Sequence, residues 1–183
     1  AAVKVLIVTA NGRHFCTGAD PKELARPRGE RGEGQGGPGR GSDQARRVAR
    51  LTKPYLGAIN GAAVGGGMDF ASLFDIRIAS ERARFGMGYV RMGVIPGGGG
   101  CYLLPRIIGV QQALRLIWTS EIIDAQEALR IGYLAQVVPH EDLLPATREL
   151  ALRLAKGPPL AIRWAKRLVY EGLNQRLEEA LTA

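Results

Sequence analysis

The chain has 183 residues and a net charge of +8, and 46% of its residues are hydrophobic. This size and apolar content predict one compact domain with a substantial core. No apolar run approaches the roughly 18 consecutive residues that a transmembrane helix requires, so the sequence predicts a soluble protein. The two cysteines and two histidines lack the spacing or the number of a metal site, and both cysteines are expected to be small core residues in a reducing cytoplasm.

The first part of the chain predicts a buried strand, a loop and a basic helix. Residues 3–8 form a run rich in β-branched side chains, which is typical of a strand buried on both faces. Asp20 and Pro21 predict the N-cap and the first position of a short helix. Residues 26–42 are rich in Gly and Arg, and because they carry no apolar anchor they predict a mobile surface loop. A basic helix is expected over residues 43–52.

The middle of the chain alternates strand and helix patterns. A second buried strand, predicted over residues 54–64, leads into a glycine triplet at 65–67. A helix at 68–73 and a strand at 76–79 follow, and this succession is typical of an α/β unit with parallel pairing. After a second glycine cluster at 97–100 the sequence is mainly helical. The predicted helices there cover residues 111–119, 125–131, 143–156 and 160–180.

The triplet of Gly65, Gly66 and Gly67 is a candidate functional site. It lies at a strand-to-helix junction, where free backbone amides and the helix dipole point toward whatever binds there. A carbonyl oxygen that develops negative charge during a reaction needs two such fixed donors, and the loop at residues 17–20 is a candidate for the second. The spacing matches neither the dinucleotide-binding G-x-G-x-x-G motif nor a phosphate-binding P-loop. A purely structural triplet, which allows close backbone packing, is the alternative.

Several segments carry the motifs of one known family in the correct order. They are FCTGADPKEL at residues 15–24, AINGAAVGGGMD at 58–69, and the stretches at 75–86, 93–100, 123–128 and 132–138. Together they resemble the enoyl-CoA hydratase/isomerase (crotonase) family, and the resemblance covers nearly all of the chain. It implies an α/β fold, a crotonase-like spiral of ββα units with C-terminal helices. The expected division is an α/β core at residues 1–139 and a helical region at 140–183, with the family's opening strands and closing helices missing from the chain.

The resemblance also implies the binding residues and the assembly. Ala19 and Gly66 match the positions whose amides form the family's oxyanion hole. Asp20, Pro21 and Lys22 match the stretch along the coenzyme A portion of the substrate, which Ala19 and Gly66 also contact. No cofactor other than the substrate's own coenzyme A is implied, and no metal. Family members usually assemble as trimers or pairs of trimers.

The two catalytic positions are where the chain departs from the family pattern. Family hydratases carry two glutamates that handle one water molecule, whereas this chain has Asp69 at the first position and Tyr89 at the second. A phenol with an ordinary pKa of about 10 is a poor base at neutral pH but a usable acid or hydrogen-bond donor. As alternatives, Asp69 could cap its helix and Tyr89 could be a packed aromatic residue. Asp75 is expected to bond backbone amides at the start of a strand.

The function implied is that of an enoyl-CoA hydratase-like enzyme, a carbon–oxygen lyase that stabilises a thioester enolate. Within the same fold the alternatives are an enoyl-CoA isomerase, which needs only one acid/base group, and an acyl-CoA hydrolase or decarboxylase. A non-catalytic RNA-binding or scaffold relative is the alternative from another class, favoured by the arginine cluster at residues 26–50 and by the missing second glutamate. Nucleic acid is not the expected partner, because the sequence has no aromatic-rich binding strand or zinc spacing. The basic charge suits polyanionic coenzyme A.

Overall fold

The computed structural model describes residues 3–18 and 40–182, and for Arg40 its backbone only. The strands in these ranges are β1 (Leu6–Val8), β2 (His14–Cys16), β3 (Tyr55–Ile59), β4 (Ala62–Val64), β5 (Ile76–Ser80), β6 (Arg84–Gly86), β7 (Ile122–Asp124) and β8 (Gln136–Val138). The α-helices are α1 (Arg40–Ala49), α2 (Gly66–Ala71), α3 (Gly100–Thr119), α4 (Ala125–Arg130), α5 (Leu143–Lys156), α6 (Pro159–Gly172) and α7 (Leu177–Leu181). Short 3₁₀ helices lie at Val90–Met92 and His140–Asp142.

The strands form two sheets that the chain visits in alternation. One sheet has the order β1-β3-β5-β8 with parallel pairing throughout. The other has the order β2-β4-β6-β7, in which only the β6–β7 pair is antiparallel. From β1 to α3 the chain therefore makes successive ββα units. The first strand of each unit joins one sheet and the second strand joins the other. The predicted α/β fold, a spiral of ββα units followed by C-terminal helices, is confirmed.

The prediction of one continuous strand over residues 54–64 is wrong. A turn at Asn60 and Gly61 divides it into β3 and β4, which lie in different sheets. The Asn60 side-chain amide donates to the Gly12 carbonyl at 2.9 Å. A Cβ on Gly61 would lie 2.1 Å from the Arg13 carbonyl oxygen, so only glycine allows the two loops this close. The contact bends the chain at a point where the apolar pattern continues.

Other predicted boundaries also shift. Helix α1 begins at Arg40 rather than residue 43, so the last three residues of the predicted loop are helical, and the rest of that loop lies outside the described residues. The helix expected at 111–119 is the second half of α3, in which the backbone of Gly109 is not helical. The helix expected at 160–180 ends at Gly172 and resumes as α7. No helix in the described ranges combines the length and apolar character needed to cross a membrane.

An aromatic cluster fills the space between β3 and α2. The Phe74 ring meets the rings of Tyr55 and Phe70 edge-on, with centroid distances of 4.8 and 5.2 Å, and that of Phe15 at 6.0 Å. Gly57, in the middle of the fully buried strand β3, leaves room for the Phe74 ring. A Cβ at Gly57 would lie 2.2 Å from Phe74 Cδ2. The missing side chain is therefore a packing requirement of the core.

Gly57→Ala is expected to lower the free energy of unfolding by about 1–3 kcal/mol, because the added methyl group overpacks a core that has no space to yield. Thermal or urea unfolding followed by circular dichroism measures the effect. Gly172→Ala is the matched control, because a Cβ there meets no atom of the described chain within 4 Å. Equal stability of the two variants would contradict the packing argument.

Asp75 joins the start of strand β3 to helix α6. Its carboxylate accepts the Tyr55 backbone amide at 2.7 Å, which is a backbone bond of the predicted kind. It also accepts from Lys166 Nζ and from the Tyr170 hydroxyl, both at 2.8 Å. Asp75 thus has a structural part in docking the C-terminal helices.

Candidate active site

The junction between β4 and α2 is built by glycine. Gly65 has φ 56° and ψ −122°, a backbone conformation that side-chain-bearing residues rarely adopt. Helix α2 then begins at Gly66, whose amide cannot bond within the helix because it is in the first turn. Within residues 3–18 and 40–182, no backbone carbonyl accepts a hydrogen bond from Gly66. The amide can therefore donate to a ligand oxygen at the positive end of the helix dipole.

The loop that follows β2 runs directly beside this amide. A Cβ on Gly18 would lie 3.1 Å from the Gly66 nitrogen and 3.3 Å from the Val64 carbonyl oxygen, so the two segments touch backbone to backbone. The segment predicted to supply the second donor and the coenzyme A contacts begins at the next residue. Those residues are Ala19, Asp20, Pro21 and Lys22, and all four lie outside the described residues.

Asp69 is a buried carboxylate on helix α2, with only 2% of its surface exposed. Its Oδ2 atom accepts the Tyr89 hydroxyl at 2.5 Å and the Gly98 amide at 3.0 Å. In the described part of the chain, Oδ1 has no well-aligned hydrogen-bond partner, although the Gly100 amide is close enough to stabilise its charge. The N-cap of α2 is Gly65, without a side-chain cap, so the alternative that Asp69 caps its helix is wrong.

The second glycine cluster forms the wall around this carboxylate. A Cβ on Gly98 would lie 2.5 Å from Asp69 Oδ2, and one on Gly100 would lie 2.3 Å from Oδ1. Any side chain at either position would displace the Asp69 carboxylate. Sequence reasoning missed these two residues as parts of the site, because glycines about 30 positions away show no contact in a linear pattern.

Tyr89 bonds Asp69 and lies close to the backbone of Gly66. The residue is half-buried, follows β6, and packs in part against the core. Its hydroxyl bonds Asp69 on one side and lies 3.7 Å from where a Cβ on Gly66 would stand on the other. The structure thus brings the two predicted catalytic residues together beside the predicted oxyanion donor.

Burial decides the electrostatics of this pair. Burial raises the pKa of the Asp69 carboxyl, and the bonds from Tyr89 and Gly98 lower it only in part, with a weaker contribution from the Gly100 amide. Burial and then the hydrogen bond to Asp69 raise the pKa of the Tyr89 phenol above its ordinary value. The phenol is therefore protonated at neutral pH and donates a hydrogen bond to the Asp69 carboxylate. Across the described ranges, no three His, Cys, Asp or Glu residues are grouped so as to hold a metal ion.

Comparison with known proteins identifies the family. A family model described as enoyl-CoA hydratase/isomerase matches residues 1–183. The chain belongs to the enoyl-CoA hydratase/isomerase family. The resemblance predicted from its motifs is confirmed, and so is its enzyme family.

Curated relatives of this family member include hydratases and an isomerase/hydratase. The chain is 36% identical over 182 residues to the crotonyl-CoA hydratase of Syntrophomonas wolfei, and the aligned region covers 99% of this chain and 69% of the relative. It is 37% identical over 177 residues to the short-chain-enoyl-CoA hydratase of Clostridium acetobutylicum, covering 97% of this chain and 67% of the relative. The enoyl-CoA isomerase/hydratase of Mycosarcoma maydis is 39% identical over 181 residues, which cover 97% of this chain and 65% of the relative. The chain thus spans about two thirds of the length of these relatives.

Solved structures share the fold of this family member. The enoyl-CoA hydratase from Bacillus anthracis superposes with a TM-score of 0.88 at 35% identity, covering 98% of this chain and 69% of that one. A monofunctional enoyl-CoA isomerase from M. smegmatis superposes with a TM-score of 0.81 at 33% identity, covering 99% of this chain and 77% of that one. The same fold therefore carries proteins named for hydration and for isomerisation.

Proposed function

We propose that this family member acts on acyl-CoA thioesters as an enoyl-CoA hydratase-like enzyme that stabilises a thioester enolate. The observation that carries the proposal is the grouping of the Gly66 amide, Asp69 and Tyr89 at one strand-to-helix junction. A fixed amide at a helix N-terminus stabilises the negative charge that develops on a thioester oxygen. A buried carboxylate and a phenol beside it supply the proton transfer that forms and quenches the enolate. The names of the crotonyl-CoA and short-chain-enoyl-CoA hydratases among the relatives support this substrate class.

The remaining binding contacts are assigned to the segment after Gly18. The Ala19 amide is the proposed second donor of the oxyanion hole, and Asp20, Pro21 and Lys22 are the proposed neighbours of coenzyme A. The contact of Gly18 with the Gly66 nitrogen supports this assignment, because it brings the chain to the oxyanion position just before these residues.

Isomerisation is the second candidate reaction, and Tyr89 is the observation that favours it. Hydration requires two groups that orient, deprotonate and reprotonate one water molecule, whereas Tyr89 is a protonated phenol already engaged with Asp69. Moving a double bond requires one group that removes a proton from one carbon and returns it to another. We therefore expect hydration to be slow relative to that of relatives with two glutamates.

The proposed assembly is a homotrimer or a pair of trimers in the cytoplasm. Apolar side chains exposed on α6, with Leu160 at 64% and Trp164 at 51% exposure, support an interface on that side. Cys16 is half-buried and Cys101 is exposed, so the prediction that both cysteines are core residues is wrong for Cys101.

A panel of acyl-CoA thioesters of different chain lengths, with products identified by chromatography and mass spectrometry, tests the proposal. We expect enoyl-CoA substrates to gain the mass of one water molecule or to convert to an isomer of equal mass. Release of free coenzyme A or of carbon dioxide would instead identify the hydrolase or decarboxylase alternative. Conversion of no thioester, together with RNA binding that weakens steeply with salt, would favour the non-catalytic alternative.

A further inference from the structure

We infer that the Tyr89 hydroxyl is the group that exchanges a proton with the substrate, and that Asp69 accepts or supplies the proton through this hydroxyl. The inference rests on the proposed acyl-CoA function and assigns the order of the two groups. The carboxylate lies behind the phenol, so the pair is a two-step relay rather than two groups that both face the substrate.

The first argument is that neither oxygen of Asp69 is available to a substrate. Oδ2 is occupied by the Tyr89 hydroxyl and the Gly98 amide. Oδ1 is fully buried, and the wall beside it at Gly100 is so tight that a Cβ there would also lie 2.9 Å from Met87 Cε and 3.0 Å from Pro96 Cβ. A base must come within hydrogen-bond reach of the proton that it removes. Asp69 therefore reaches the site only through Tyr89.

The second argument is the position of the Tyr89 hydroxyl. The hydroxyl is close to the Gly66 backbone, since a methyl group on Gly66 would lie 3.7 Å from it. Tyr89 is half-buried, whereas Asp69 is almost completely buried, so the phenol is the member of the pair that a thioester bound at Gly66 can reach.

The relay balances without any other reactant. The C–H bond next to the thioester carbonyl breaks, and its proton goes to the Tyr89 oxygen while the phenolic proton moves to Asp69 Oδ2. The electron pair of the broken bond becomes the enolate, whose oxygen is held by the Gly66 amide. The reverse transfer returns a proton to carbon. The phenol is neutral before and after each transfer, so its raised pKa does not prevent the reaction, because no free phenolate accumulates.

Release of tritium from butyryl-CoA labelled next to the carbonyl tests the relay. The protein should release the label, and Tyr89→Phe and Asp69→Asn should each lower the rate by about 100-fold or more. Tyr102→Phe is the matched control, since this exposed tyrosine bonds Asn174 away from the site, and the variant should keep the full rate. Circular dichroism and thermal unfolding establish that each variant is folded.

A solvent isotope effect provides a measurement that a merely structural part for Tyr89 would not change. Release of tritium by the unmodified protein should be slower in D₂O than in H₂O, because the phenolic deuteron moves in the same step. A release rate in Tyr89→Phe close to that of the unmodified protein, or equal rates in the two solvents, would overturn the relay and leave Asp69 as the direct base. If the unmodified protein releases tritium no faster than the Gly66→Pro variant does, the proposed function and the relay are overturned together.

Discussion

Asp69→Asn is expected to lower the turnover of an enoyl-CoA by about 100-fold or more, because the amide cannot accept the proton that the reaction moves. Binding of the thioester should remain, since the Asp69 side chain is buried and hydrogen-bonded to Tyr89 and Gly98 of the protein itself. Steady-state kinetics and a separate binding titration measure the two effects. Rapid turnover by the variant would show that Asp69 takes no part in proton transfer.

The same substitution should leave the fold as stable as before, or more stable, at neutral pH. Burial raises the pKa of Asp69 in the folded state above its value in the unfolded chain. The charged carboxylate therefore costs folding free energy above the folded-state pKa, and this cost disappears as the pH falls below the unfolded value. Asparagine removes the charge and can still accept the Gly98 amide. Thermal unfolding at pH 7 and at acidic pH tests the sign, and a melting temperature that falls at pH 7 would contradict it.

Gly66→Pro is expected to lower turnover by roughly 100-fold or more, because proline has no amide hydrogen to give to the thioester oxyanion. Proline suits the first position of a helix, but its ring approaches the Gly18 backbone, so circular dichroism and thermal unfolding must first establish that the variant is folded. The measurement is the ratio of kcat between variant and unmodified protein on the best substrate of the acyl-CoA panel.

Gly66→Ala is the matched control, because alanine keeps the amide. Its Cβ would lie 3.5 Å from the Gly18 Cα and 3.7 Å from the Tyr89 hydroxyl, which are ordinary contacts. This variant should retain most of the activity. If both variants lose activity equally, the space at Gly66 matters rather than its amide, and if the proline variant keeps full activity the oxyanion assignment fails.

The linear pattern predicted those parts of the molecule that depend on neighbours in sequence. Strand β5 and helices α4 and α5 follow from local apolar spacing and helix propensity close to their predicted bounds. The strand expected at residues 3–8 is shorter, at Leu6–Val8, and half-buried rather than buried on both faces. The motifs also predicted the family, because residue types in a fixed order can be compared directly. Tyr89 was singled out only through that comparison, since nothing in its own neighbourhood distinguishes a catalytic phenol from a packed one.

The sequence by itself thus determined the order of the elements, the family and the candidate residues, while only the tertiary structure decided how these residues meet. The division of residues 54–64 between two sheets depends on the contacts of Asn60 and Gly61 with a loop nearly 50 positions earlier. The burial of Asp69 depends on glycines about 30 positions later, which approach only after the ββα units have stacked. A hydrogen bond between Tyr89 and Asp69 requires their oxygens to lie within hydrogen-bonding distance. The two residues are 20 positions apart, so this distance is set by the fold rather than by either residue's type.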